Sequence, residues 1–160
     1  MEIRLARRIL TETDLVDVVQ AISAEGTVEV HEFTTVLDDR KLSSTVGFFL
    51  EINVDPMSTF TAFFMDVYVQ RSYTLDPNIG QLKQKSLEVL LAMNADHRDH
   101  IDIGVMHPPT IRIVKPGTFA EYRRWKVETK GVDINQVKVP VVMSDPSALE
   151  WITERVVREL

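Results

Sequence analysis

Hydrophobic and polar positions follow two periods along the chain, and these periods predict the first elements. Apolar side chains recur with helical i, i+3, i+4, i+7 spacing at Leu15, Val18, Val19 and Ile22. This spacing predicts an amphipathic helix, for which Thr11 or Thr13 can be the cap. Residues 27–37 are rich in β-branched side chains, and residues 46–54 alternate between one apolar face and a more polar one, so each stretch predicts a strand.

Residues 60–69 differ from these strands because both of their faces begin apolar. Phe60, Phe64 and Tyr68 share one parity, and Met65 and Val67 share the other. A strand of this kind must be covered on both sides. The cover could come from a second layer of the same chain or from a neighbouring subunit.

The second half of the chain predicts a central helix, more strands and a final helix. Residues 79–93 show a broad apolar stripe, 94–100 are too polar to continue the core, and 111–113 and 121–129 predict a hairpin around Pro116 and Gly117. Pro140 restricts residues 137–142 to an edge strand or an extended arm. Ser144 or Asp145 can cap a last helix that continues to Leu160.

The predicted fold class is therefore α+β. We expect a mostly antiparallel sheet of five to six strands, packed by an N-terminal, a central and a C-terminal helix. The 160 residues suit a single domain, residues 1–160, in which residues 135–160 could be an added arm and terminal helix.

Composition excludes several classes of protein. The 18 basic and 24 acidic residues give a net charge of −6, which argues against a protein that mainly coats nucleic acid. The absence of cysteine excludes disulfide scaffolds, thiolate metal sites and cysteine nucleophiles. The uncharged runs are too short to span a membrane, and the charged N-terminus does not resemble a signal peptide. No familiar nucleotide-binding or hydrolase motif is present.

One loop region has the residue types of a metal site. Its candidate ligands are Asp96, His97, Asp99, His100 and His107. Histidine and carboxylate can together bind zinc, manganese or iron, and His97 and His100 would share a face if the segment were helical. A solvated loop or a partner contact is the favoured interpretation, so no metal and no cofactor are predicted.

The most basic part of the chain lies around Arg124 and Trp125. Tyr122, Arg123 and Lys126 flank these two residues, and basic side chains interleaved with aromatic ones are typical of strands that bind nucleic acid. A strand with Trp125 inside and Arg124 in water, or a contact with another protein, explains the pattern at least as well. Direct nucleic-acid binding is therefore not the preferred prediction.

The order of elements resembles that of the small tail-terminator or tail-completion proteins of tailed bacteriophages. The residues behind this resemblance are the run from Phe64 to Gln70, the Asp76-Pro77 turn, the helix through Met93 and the predicted hairpin from Phe119 to Val127. It covers roughly residues 1–134 and is one of layout, without a diagnostic motif.

This resemblance implies a non-enzymatic virion protein that assembles in the host cytoplasm. It would form a ring, typically a hexamer, that ends the tail tube and contacts the head connector, with no catalytic residues. The expected interface or core anchors are Phe60, Phe64, Tyr68, Arg124 and Trp125. Two other hypotheses stay open: a small metal-dependent enzyme or metal-binding protein that uses residues 96–107, and a bacterial protein-binding module of the immunity or adaptor type.

Overall fold

A computed structural model describes residues 11–24, 29–38, 45–52, 77–93, 95–104 and 107–160. The helices and strands are, in chain order, α1 (Glu12–Ala24), β1 (Val30–Asp38), β2 (Thr45–Ile52), α2 (Pro77–Met93), α3 (Ala95–Asp102), β3 (Thr110–Val114), α4 (Thr118–Lys130), α5 (Pro146–Thr153) and β4 (Val156–Glu159). A single 3₁₀ turn, Ile134–Gln136, lies between α4 and α5.

The four described strands form one mixed sheet in the order β1-β2-β3-β4. The β1–β2 and β3–β4 pairs are antiparallel, and the β2–β3 pair is parallel. The α+β class is confirmed, with four strands in the described part of the chain instead of five to six. Beyond the outer edge of β1, Val142 makes one parallel bridge with Thr35, as expected for a proline-containing edge segment.

Helix α1 begins at a capping box. The Asp14 N–H donates to the Thr11 hydroxyl at 3.2 Å, and the Thr11 N–H donates to the Asp14 carboxylate at 2.8 Å. This reciprocal pair satisfies two donors at the helix end. The predicted apolar positions Leu15, Val18, Val19 and Ile22 are all buried, so the first helix is confirmed.

Strand β2 is buried on both faces. On one face Phe48 and Leu50 pack with α1 and with Leu82 of α2, and on the other Phe49 packs with residues of α4 and α5. The sequence predicted a strand with one apolar and one more polar face, which is wrong because a second helical layer covers the other side. The molecule therefore has helices on both faces of the sheet.

Residues 118–130 form helix α4, so the predicted strand over 121–129 and its hairpin are wrong. The alternation of Trp125 and Val127 is short, whereas Phe119 and Tyr122, both buried, have helical spacing. Glycines with positive φ flank the helix, Gly117 at 82° and Gly131 at 64°, and the Gly131 N–H donates to the Val127 carbonyl at 2.9 Å. Gly131 is thus the C-cap of α4. Its left-handed backbone conformation is unfavourable for any residue with a side chain.

The chain end is a helix followed by a strand, which corrects the predicted helix through Leu160. Asp145 caps α5 as predicted by accepting from the Ser147 N–H, and the helix ends at Thr153. Strand β4 then pairs with β3, and the Leu160 N–H donates to the Ile111 carbonyl at 2.8 Å. Residues 156–159 form a strand because their pairing with β3 provides hydrogen-bond partners for the backbone N–H and C=O groups at the edge of that strand.

Two other predictions concern segments before and after α2. The strand predicted over residues 60–69 lies outside the described residues. The region around 94–100, predicted as a loop, contains α3, so polarity alone did not prevent a short helix from forming.

Candidate functional site

A buried carboxylate stands out on the α4 side of the sheet. Glu51 is 3% exposed, and its Cα partner across the β1–β2 ladder is Glu32. Paired residues of an antiparallel ladder project from the same face, and like charges placed opposite each other destabilise a sheet. Each carboxylate therefore needs its own compensating partner.

The N-terminus of α4 provides the partner for Glu51. The N-cap position is Gly117, which has no side chain to accept from the first N–H groups of the helix. The N–H groups of Gly117 and Thr118 donate to the Glu51 carboxylate instead. A residue of the sheet thus caps this helix, and its negative charge is placed where the helix dipole favours an anion.

Burial raises the pKa of the Glu51 carboxyl above its usual range. The two N–H donors and the nearby His31 act in the opposite direction, Glu32 adds to the increase, and burial remains the largest influence. Removing a carboxylate from water disfavours its charged form, which is the physical cause of the shift.

Arg123 provides the partner for Glu32. Its two terminal nitrogens lie 2.9 Å and 2.7 Å from the two Glu32 carboxylate oxygens, so the pair is bidentate. The hydrogen bonds with Glu32 are the main reason why the pKa of Arg123 is raised. Because Arg123 belongs to α4, this ion pair is a second link between that helix and the sheet.

The β1–β2 register shifts between Val30 and Glu32, which leaves His31 as an extra residue. His31 Nε2 lies 4.0 Å from Glu32 Oε1 although the two residues are neighbours in the chain. Neighbouring residues of a regular strand point to opposite faces, and the bulge explains why these two side chains approach each other.

We name the set Glu32, Glu51, Gly117, Thr118 and Arg123 the Glu51 cluster. It joins β1, β2 and α4 through charge-assisted hydrogen bonds. The Glu51 carboxyl is nearly closed to solvent and is already engaged by two donors, so its chemistry is to hold α4 in position. The sequence signal for it is a lone charge within the apolar run 46–52, on the face of the strand that the alternation predicts to be the more polar one.

Two of the predicted anchor residues lie on α4. Trp125 is half-buried and stacks on Trp151 of α5 with ring centroids 5.5 Å apart, while Arg124 is exposed. The guanidinium of Arg155 lies 3.4 Å from the Trp151 ring centroid, which covers the pair on another side. Trp125 therefore has a packing role between two helices. An interface role for it and for Arg124 stays a prediction, and Phe60, Phe64 and Tyr68 lie outside the described residues.

The metal candidates are only partly described. Asp99 and His107 are exposed, and the side chains of Asp96, His97 and His100 lie outside the description. In the part of the chain that the structure describes, no group of three or more His, Cys, Asp or Glu side chains could hold a metal ion. No described helix is long and apolar enough to cross a bilayer.

Helices on both faces of a mixed sheet define an α+β domain, and comparison with known proteins identifies its family. The model of the GH3 family C-terminal domain matches residues 13–147. The chain therefore belongs to the GH3 family, in which it corresponds to the C-terminal domain.

Similar proteins agree with this family. Over 72 residues the chain is 38% identical to indole-3-acetic acid-amido synthetase GH3.8 of Oryza sativa subsp. indica, a match that covers 44% of this chain and 12% of that enzyme. The probable indole-3-acetic acid-amido synthetase GH3.9 of Oryza sativa subsp. japonica is 40% identical over 72 residues, which cover 44% of this chain and 16% of that protein.

Solved structures show the same fold. The GH3.15 acyl acid amido synthetase superposes with a TM-score of 0.64 at 20% identity over 91% of this chain and 24% of the synthetase. The same kind of enzyme in complex with 2,4-DB gives a TM-score of 0.65 at 20% identity, over 92% and 24% of the two chains. The chain thus spans about a quarter of the length of these solved synthetases.

Family membership overturns the phage hypothesis and what it implied. The prediction of a non-enzymatic virion protein is wrong, because the matched relatives are amido synthetases. The hexameric ring, the tail-tube and head-connector partners, and the virion location fall with it. The metal-dependent and binding-module alternatives are not supported either. The resemblance was wrong because it depended on a predicted hairpin from Phe119 to Val127, and these residues belong to helix α4.

Proposed function

We propose that this chain acts as the C-terminal domain of an acyl acid amido synthetase. Such an enzyme joins the carboxyl group of an acyl acid to an amine as an amide with net loss of water, a condensation that needs an activating co-substrate such as ATP. The observation that carries the proposal is the match of the GH3 C-terminal domain model to residues 13–147. Support comes from the common fold over 91% of the chain with the GH3.15 synthetase.

Size bears on how the domain would work. The chain aligns with only 24% of the solved synthetase, so the reaction would also use residues from the other three quarters of such an enzyme. This domain would then contribute a surface of fixed shape to an active site that it shares with the rest of the enzyme. In the described part, α4 is held to the sheet by the Glu51 cluster and to α5 by the Trp125–Trp151 stack.

A domain exchange tests the proposal. The C-terminal quarter of the GH3.15 synthetase is replaced by this chain, and amide formation from 2,4-DB and a mixture of amino acids is followed by mass spectrometry with ATP supplied. The enzyme with its own domain is the positive control, and the enzyme truncated before that domain is the negative control. We expect the chimera to form amide and the truncated enzyme to form none.

A folded chimera that binds 2,4-DB as the parent does but makes no more amide than the truncated enzyme would contradict the proposal. A second chimera with Glu51→Met in the grafted domain serves as a matched control. If the shape of the domain matters, this variant should lose activity at temperatures where its graft unfolds, while the Glu51→Gln graft should keep it.

A further inference from the structure

A cleft of about 220 Å³ opens on the face of the sheet that α4 and α5 cover, and none of its lining residues belongs to the Glu51 cluster. It lies where three strands run side by side. Gly47 of β2 is the Cα partner of both Val36 on β1 and Thr110 on β3, and Phe49 is the partner of Arg112. Residues of this row line the cleft together with Thr45 of β2 and with Leu149 and Thr153 of α5.

Residue 47 lies at the floor of the cleft, and its neighbours leave room there only for a glycine. A Cβ at this position would lie 2.9 Å from the Val36 Cγ1 atom and 3.1 Å from the Thr110 hydroxyl, closer than ordinary contacts allow. It would also lie 3.9 Å from an Arg112 terminal nitrogen. The Thr110 hydroxyl and an Arg112 terminal nitrogen therefore both lie within 4 Å of one point above Gly47.

Arg112 is the cation of the cleft. Its guanidinium carbon lies 5.3 Å from the Phe49 ring centroid, and its side chain is 28% exposed. The carboxylate that approaches it among the described residues is Glu159, 3.7 Å from Nε and itself 61% exposed. An ion pair so open to water is weak. The terminal nitrogens of the guanidinium, which form its bidentate edge, are not engaged by Glu159.

The other lining residues divide into hydroxyl and apolar groups. Thr153 already donates its hydroxyl hydrogen to the Leu149 carbonyl at 2.6 Å, whereas no described residue accepts from Thr45 or Thr110. Those two hydroxyls can therefore donate to a bound anion. Val36, Phe49 and Leu149 add an apolar wall.

From this combination we propose that the cleft binds a small organic carboxylate with a short apolar tail. The fork of a guanidinium matches a carboxylate bidentately, and the threonine hydroxyls can donate to the same group. The apolar wall would cover the tail. The volume corresponds to about seven water-sized groups of roughly 30 Å³ each, so the ligand is smaller than the occupants of typical ligand pockets.

This site does not depend on the proposed synthetase function, since it requires only the folded chain. The test is a titration of the isotope-labelled 160-residue chain with isovalerate, followed through backbone amide signals by NMR. Isovaleramide is the neutral probe of the same shape, and inorganic phosphate is the anion without a tail. We expect saturable shifts centred on Gly47, Thr110 and Arg112 with isovalerate, and much weaker shifts with either control.

Two variants locate the site. Arg112→Gln should weaken isovalerate binding by about tenfold or more, because a hydrogen bond between charged groups is lost. Arg124→Gln, which changes an exposed arginine elsewhere, should leave binding unchanged. Thr110→Val provides a second variant if Arg112→Gln does not fold, and it should weaken binding several-fold.

Three outcomes would overturn the proposal. The first is equal binding of isovalerate and isovaleramide, which would remove the role of charge. The second is phosphate binding as tight as isovalerate, which would mean an anion site without use of the apolar wall. The third is isovalerate affinity unchanged by both Arg112→Gln and Thr110→Val, which would place any binding elsewhere.

Discussion

Glu51 offers the sharpest test of how the second helical layer is attached to the sheet. The informative comparison is between Glu51→Gln and Glu51→Met, since the two replacements have similar length. Glutamine keeps an oxygen that can accept from the N–H groups of Gly117 and Thr118, whereas methionine removes it. Both replacements remove the charge, so the contrast isolates the hydrogen bonds at the start of α4.

The magnitude follows from what each variant leaves unpaired. A buried donor without a partner costs about 1–3 kcal/mol. The Thr118 N–H also lies 3.2 Å from the Lys115 carbonyl, so the loss falls mainly on Gly117. We therefore expect Glu51→Met to lower the free energy of unfolding by about 1–3 kcal/mol and Glu51→Gln to lower it by about 1 kcal/mol or less at pH 7.

The pH dependence has a definite sign. Because burial raises the pKa of Glu51, the folded protein holds this proton more tightly than the unfolded chain does. The resulting stability is fully present below the ordinary value of 4.5 and is lost as the pH rises through the raised pKa of the folded state. Relative to wild type, Glu51→Gln should therefore become more stable as the pH rises through this window.

The assay is urea denaturation followed by circular dichroism, with midpoints compared at equal slope. Equal stability of Glu51→Met and Glu51→Gln at pH 7 would refute the capping role of the carboxylate. A wild-type stability that rises relative to Glu51→Gln between pH 4.5 and 7 would refute the raised pKa.

Three further predictions use the same denaturation assay. Arg123→Gln breaks the bidentate pair with Glu32 and should cost about 1–2 kcal/mol, while Arg124→Gln on the same helix should stay within about 0.5 kcal/mol of wild type. Gly131→Ala should cost about 1 kcal/mol through backbone strain alone, because no atom lies within 4 Å of its added Cβ; an unchanged midpoint would argue against this C-cap. Asp145→Ala removes the α5 cap and should lower the urea midpoint at pH 7. The Ser147 hydroxyl and the Ser147 N–H donate to Asp145 and lower the pKa of its carboxyl group. The stability difference between wild type and Asp145→Ala should therefore shrink as the pH falls through that pKa. A difference that does not change with pH would contradict the capping role of the carboxylate.

The first two strands and the helices α1 and α2 were predictable because their hydrophobic periods reflect local burial. Leu15 and Ile22 of α1 repeat with a helical period, and Phe48 and Leu50 of β2 repeat with a strand period. In α1 the pattern marks the buried face, whereas in β2 it marks only one of the two faces that are buried.

The second layer was less predictable because its signals are weak or nonlocal. Helix α4 contains few apolar residues, and its ends are marked by Gly117 and Gly131, the first of which was interpreted as a hairpin turn. Strand β4 exists because β3 offers a free edge, a fact that no local pattern contains. Residues 156–160 were therefore assigned to the preceding helix.

The Glu51 cluster could be only partly foreseen. A charge in an apolar run marks Glu51. Arg123 and Glu32 are 91 positions apart in the chain, and no sequence pattern indicates that their side chains lie 2.7 Å apart in space. The Arg112 cleft is equally nonlocal, since it depends on the register that places Gly47 beside Thr110. Such arrangements follow from topology, which the sequence pattern did not determine.

The central claim is that this GH3 C-terminal domain serves amide synthesis. The most direct measurement is amide formation by the native polypeptide that contains this sequence, isolated with an antibody so that any accompanying chain is retained. The material is incubated with ATP, a panel of acyl acids that includes 2,4-DB, and all common amino acids, and the products are identified by mass spectrometry. The account predicts an acid- and amine-dependent amide that disappears when the polypeptide is depleted. Intact, folded polypeptide that forms no amide from any pair in the panel would contradict it.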